Sequence, residues 1–293
     1  MNANAHHFLP DDERSSNDRI AEALALPGAG SFPLAISGRE GGSRQVTVHF
    51  HRPASFSRDV PILIVMHSTK RNAADYRDTW TALADRDRCL VVCPEFTKRA
   101  FPRTAFQLGG MVDADGSPRP RHAWTFAAIE QLFDVVRGAT GNTSSGYHLY
   151  GHSAGSQFVH RLALFLPEAR FKAAVAANAG WYTMPTPRQG FPYGLAESGI
   201  SEDDLHRALG RRLIVVLGER DVHSDDPYLR NSSGARRQGQ NRFERGLAFY
   251  AAAQDEAGRR GVPLAWELIT VPGAAHVDGE MAPAAARALF APP

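Results

Sequence analysis

The sequence predicts an α/β fold, with a mainly parallel sheet covered by helices on both faces. Three observations carry this. Apolar, β-branched runs recur at 61–67, 89–96 and 211–217, too continuous for strands with a wet face. Stretches with apolar residues at helical spacing lie between such runs. The two kinds alternate along the chain, and strands joined by helical crossovers run parallel.

The elements follow in order. Residues 1–40 are rich in Ala, Gly and Ser and read as a loosely packed lead-in. RQVTVHFH (44–51) alternates polar and apolar residues, as a half-exposed strand does. PILIVMH (61–67) reads as a buried strand, and 72–88 as a helix through Tyr76, Trp80 and Leu83. CLVVCPEF (89–96) returns to buried strand. Residues 123–141 read as a helix ended by Gly138 or Gly141, with Trp124 packing at its start. YHLYGHS (147–153) is a short strand, and the helix after it stops at Pro167. FKAAVAANAG (171–180) and RRLIVVLGERD (211–221) are strands with exit loops. A long helix spans 241–261, its charges on an exposed face. PLAWELITVPG (263–273) is the last strand and GEMAPAAARALF (279–290) the last helix. Two stretches rich in Pro and Gly, 101–122 and 181–210, interrupt the rhythm, and loops of that length are often functional. The reading is one catalytic domain, 41–293, with a short irregular cap at 181–210.

Composition narrows the function. The chain has 293 residues, 43% hydrophobic and 22% charged, the balance of an ordinary globular protein large enough to bury its own core. A net charge of +2 without a basic block gives no footprint for nucleic acid or a membrane surface. No apolar run is long enough to span a bilayer. The first residues lack the apolar core of a signal peptide, so a cytoplasmic location is expected. Cys89 and Cys93 stand four apart in a predicted strand, too far for a disulfide, and are expected as small core residues. His6, His7, His49 and His51 lack partner ligands at metal-binding spacing, so no metal is expected.

Ligands of open α/β sheets bind beyond the carboxyl ends of the strands. Gly151-His152-Ser153-Ala154-Gly155 follows one strand, Gly218-Glu219-Arg220-Asp221 another, and Pro272-Gly273-Ala274-Ala275-His276 a third. A lone Gly-x-Ser-x-Gly is a weak signal. Between a strand and a helix it becomes a nucleophile elbow, a sharp turn that strains the serine and presses two backbones together. Side chains at 151 and 155 would collide there. A serine hydroxyl needs a base to take its proton. His276 suits that role because it follows the last strand. His67, His152, His160 and His223 are its rivals. Asp221 would orient the imidazole, with Glu219, Asp225 and Asp226 close enough to substitute. The oxyanion of acyl transfer needs backbone donors. Ala154, next to the nucleophile, would supply one, and the loop after 61–66 the other, from Thr69 or else Ser68.

These motifs resemble serine hydrolases of the α/β-hydrolase fold, in the branch of polyhydroxybutyrate-depolymerase-like and feruloyl-esterase-like proteins. The matching pieces are MHSTKRNAADY, GHSAG, NAGWYT, LGERD and VPGAAH, spanning roughly 45–290. The resemblance implies Ser153 as nucleophile, His276 as base, Asp221 as acid, and Thr69 and Ala154 as oxyanion donors. In one place the chain departs: Ser68 stands where the family usually has glycine, and either reshapes the loop or adds a hydroxyl donor. The expected reaction is hydrolysis of small to medium acyl esters or hydroxy-acid oligomers through an acyl-enzyme, without a cofactor. The alternatives are amide or peptide hydrolysis by the same residues, and a binding protein that kept the fold. Trp181 and Tyr182, which open the long excursion, would wall a substrate site or pin the excursion onto the core. Lys70 and Arg71, beside the presumed oxyanion loop, would attract an anionic substrate or be ordinary solvated charges.

Overall fold

The computed structural model describes residues 16–37, 42–113 and 115–291. His6 and His7 lie outside them. Eight strands form one sheet: β1 (Gly28–Ser37), β2 (Ser43–Arg52), β3 (Ile62–Met66), β4 (Leu90–Glu95), β5 (Tyr147–His152), β6 (Phe171–Ala177), β7 (Leu213–Gly218) and β8 (Glu267–Val271). Their order is β1-β2-β4-β3-β5-β6-β7-β8. β2 is antiparallel to both β1 and β4, and the other neighbours are parallel.

The two-residue period of the central strands explains the two helical layers. Along β3, Ile62, Ile64 and Met66 join one apolar cluster, while Leu63 and Val65 join the other. The first cluster takes in α1 (Ser16–Ala23), α4 (Ala127–Thr140), α5 (Ala154–Phe165), α6 (Glu202–Leu209) and α8 (Arg242–Arg260). The second takes in α2 (Ala73–Asp87), through Tyr76, Trp80 and Ala84, and α9 (Asp278–Phe290), through Met281, Ala285 and Leu289. Two short helices, α3 (Arg103–Gln107) and α7 (Ser233–Arg236), lie in connecting segments. Cys89 and Cys93 are free and buried. Among the described residues, no helix is long and apolar enough to cross a membrane.

Two expectations need correction. The supposed lead-in is structured from residue 16: β1 pairs with β2 from Gly28 opposite Arg52 to Ser37 opposite Ser43. Phe32, Leu34 and Ile36 alternate into the core. Pro33 is tolerated between them because β1 is an edge strand, where a missing N–H costs no ladder bond. The cap at 181–210 is also less irregular than its composition implies. Ser201 and Asp204 form a capping box at the start of α6, whose Leu205, Ala208 and Leu209 pack into the core. The segment is part of the wall beside α5.

Candidate active site

The elbow forms between β5 and α5. Ser153 has φ 58° and ψ −113°, a conformation rarely adopted by a residue with a side chain. A Cβ on Gly151 would lie 2.4 Å from the Gly155 carbonyl carbon, and one on Gly155 would lie 2.1 Å from the Met66 carbonyl oxygen. The two glycines therefore let α5 press against β5 and β3, leaving the serine at the apex.

Three residues from three strand ends meet there. His276 Nε2 is 3.0 Å from Ser153 Oγ, and His276 Nδ1 is 2.7 Å from Asp221 Oδ2. With its proton on Nδ1, the imidazole donates to the carboxylate and accepts from the hydroxyl. Asp221 is buried, and its other oxygen lies 3.3 Å from the Arg242 guanidinium at the start of α8. Arg242 also pairs with Asp226 at 2.9 Å. The loops after β7 and β8 are tied by Asn178, just after β6. Its side chain accepts from Gly218 N at 2.8 Å and donates to Ala275 O at 3.1 Å. Gly218 itself must be glycine, because a Cβ there would lie 2.6 Å from Ala274 O.

The rival histidines are occupied elsewhere. His67 bridges the loop after β3 to the end of β4, donating through Nδ1 to Ser68 O and accepting from Phe96 N at Nε2, both at 3.0 Å. Its full burial pushes its pKa down to about 3, so it stays neutral. His160 is buried and makes the same kind of bridge, between Ser156 O and Thr183 N. His152 is held by the Tyr76 hydroxyl, and its ring packs 4.7 Å from that of His276. His223 is exposed. Of the rival carboxylates, Glu219 accepts from Thr270, Asp225 is exposed, and Asp226 answers Arg242.

Thr69 and Ala154 line the cavity beside Ser153, and neither amide N–H has a hydrogen-bond partner among the described residues. The Ser68 hydroxyl instead accepts from Lys70 N and lies 3.4 Å from Asn72 Oδ1, holding the turn. Arg71, at φ 66°, anchors the same loop by donating to the carbonyls of Phe96 and Phe101.

Trp181 lines the cavity. Tyr182 does not. It is buried on the far side, stacked 4.5 Å from Phe249 and against His160. Lys70 lines a second cavity, on the His276 side. Arg71, weighed with Lys70 as a charge for an anionic substrate, lines the main cavity; the sequence reading missed much of the rest of that wall: Arg103, Gln107, Gln157 and residues 227–232. Only the unusual length of the 101–122 stretch pointed there. Among the described residues, no group of three or more His, Cys, Asp or Glu side chains could hold a metal ion.

No protein-family model matches the sequence, and no curated protein matches it. Solved structures do. One is poly(aspartic acid) hydrolase-1 from Sphingomonas sp. KT-1, 39% identical, with a TM-score of 0.86 over 89% of this chain and 98% of that one. Another is a poly(3-hydroxybutyrate) depolymerase from Bordetella parapertussis, 37% identical, with a TM-score of 0.89 over 95% of this chain and 94% of that one. A siderophore hydrolase from Aspergillus nidulans shares the fold at 20% identity and a TM-score of 0.52, over 90% of this chain and 94% of that one.

Proposed function

The chain belongs to the serine hydrolases of the α/β-hydrolase fold that include these two polymer hydrolases, and from that premise we propose that it cleaves carboxylic esters through an acyl-enzyme on Ser153. The observation that carries the proposal is the unbroken line from Ser153 Oγ through His276 to Asp221, with both hydrogen bonds of ordinary length.

In this reading His276 Nε2 takes the Ser153 proton as Oγ attacks the ester carbonyl. The oxyanion forms against the free N–H groups of Ala154 and Thr69. Asp221 keeps the imidazole in the tautomer that can accept this proton and stabilises the imidazolium. His276 then passes the proton to the departing alkoxide oxygen, leaving an ester on Ser153. Water, deprotonated by the same imidazole, attacks that ester. The acid departs, and the proton returns to Oγ. Only water is consumed.

Hydroxy-acid oligomers are suitable first substrates, given the depolymerase relative. Amide cleavage by the same residues is the second reading, favoured by the relative whose substrate is by name a polyamide. A panel of p-nitrophenyl esters and matching anilides, run beside Ser153→Ala, tests both. The variant should lose at least ~10³-fold in turnover and all labelling by a fluorophosphonate. Turnover or labelling that survives the substitution rejects Ser153 as nucleophile.

A further inference from the structure

Two cavities meet at Ser153. The smaller, about 390 Å³, is lined by His276, His152 and Asp278. The larger, about 700 Å³, is lined by Ala154, Gln157 and Trp181, and not by His276. The reaction proposed above assigns their contents. The leaving atom must receive its proton from His276 Nε2, so the leaving group lies on the imidazole side. The acyl carbon stays bonded to Ser153 Oγ with its oxygen toward Ala154 N–H, so its chain extends into the larger cavity.

That cavity carries charge of one sign. Arg71, Lys98, Arg103 and Arg230 line it, and none of the three arginines meets a carboxylate among the described residues. Arg103 uses only Nε, on Gln107 Oε1 at 2.7 Å. Arg230 also uses only Nε, on the Tyr193 hydroxyl at 2.7 Å and Ser232 Oγ at 3.2 Å. Both terminal forks are left open, the geometry that takes a carboxylate through two parallel hydrogen bonds.

Behind the wall sits Arg161, fully buried, bonded to Thr183 Oγ1 and to the carbonyls of Gln107 and Gln157. Its Nη2 has no partner, nor do Gln157 Oε1 and Trp181 Nε1. Arg161 and Arg230 both lie over the Trp181 ring, 4.1 and 4.7 Å from its centre. Burial pulls the Arg161 pKa well below its ordinary value, and the charges of Arg230 and Arg103 add to that. Guanidinium groups gathered without a counter-charge repel one another, and a bound anion would relieve that repulsion.

We propose that the larger cavity binds a free carboxylate on the acyl half of the substrate through Arg103 and Arg230. The substrates are then half-esters or half-amides of di- and polycarboxylic acids. This rests on the hydrolase reading and narrows it to one substrate class.

The test compares p-nitrophenyl hemiadipate with p-nitrophenyl hexanoate, which share the leaving group and chain length and differ in the terminal carboxylate. The hemiadipate should be preferred by about tenfold or more in kcat/KM, a preference that shrinks as salt is added. Arg103→Gln and Arg230→Gln should each lower that ratio several-fold. Arg103 is exposed, so its variant decides the matter even if the Arg230 variant fails to fold. Equal or better cleavage of the hexanoate by the wild type, or an unchanged ratio in Arg103→Gln, overturns the proposal and leaves the hydrolase reading standing. Failure to cleave either ester or to label with a fluorophosphonate overturns both.

Discussion

The Asp221 carboxylate is shared between two partners: Oδ2 receives His276 at 2.7 Å, and Oδ1 lies 3.3 Å from the Arg242 guanidinium. Asp221 and Arg242 are both buried. The arginine is the first residue of α8, and Phe243, the next, donates its N–H to the Asp221 carbonyl. One helix start therefore holds both the backbone and the charge of the residue that orients the imidazole.

Arg242→Met tests that relationship. It fills similar space and leaves Asp221 buried without its counter-charge. Removing one partner of a buried pair should cost about 3 kcal/mol of stability, read from denaturant midpoints. Asp226, at 23% exposure, can turn to water, so Asp226→Asn should cost no more than about 1 kcal/mol. Equal costs for the two variants would mean that the arginine serves packing and not charge.

The elbow makes a second prediction, through two glycines with opposite surroundings. Gly155→Ala would put a methyl group 2.1 Å from a backbone oxygen that cannot swing away, so α5 must move off β3. A loss of about 3 kcal/mol or more is expected, with Ser153 displaced and turnover falling with it. Gly258, exposed in α8, has no atom within 4 Å of an added Cβ. Gly258→Ala should stabilise the protein by about 0.5 kcal/mol, by restricting the unfolded chain and favouring the helix. Thermal midpoints moving in the same direction for both would refute the steric account.

The site was legible in the sequence where a local pattern implied a geometry. Ser153, Asp221 and His276 each follow a strand end, and parallel strands bring such ends to one rim. Contacts between distant segments left no comparable pattern. Asn178 joins Gly218 to Ala275 across strands nearly a hundred residues apart, through a side chain that reads locally as a turn residue. The strand β1 was hidden because Gly28, Gly30 and Pro33 mask the alternation of Phe32, Leu34 and Ile36. Tyr182 was misplaced because position after a strand does not say which way a side chain turns. Arg71, Arg103 and Arg230 of the larger cavity come from three separate stretches, and only folding shows that they share a space.

A third prediction concerns Asp278, the first residue of α9, two positions beyond His276. Its Oδ1 accepts from the Tyr150 hydroxyl at 2.6 Å, while Oδ2 is buried without a partner. Burial raises its pKa from 3.8 to about 7, against the nearby Tyr150 and Thr79 hydroxyls, which favour the ionised form. The helix N-terminus also favours the anion, but at no more than about 2 kcal/mol. The folded protein thus holds a proton that the unfolded chain releases above about pH 4. The stabilisation from that proton is complete below about pH 4 and is lost as pH rises through about 7. Asp278→Asn cannot ionise but keeps an oxygen for Tyr150. Relative to this variant, the wild type should therefore lose up to about 4 kcal/mol of stability between pH 4 and pH 8. Denaturation of both proteins across that range isolates the effect, because every other titrating group is common to the two. A stability difference that stays flat with pH would mean that the carboxyl ionises normally in the folded protein and that water reaches Oδ2.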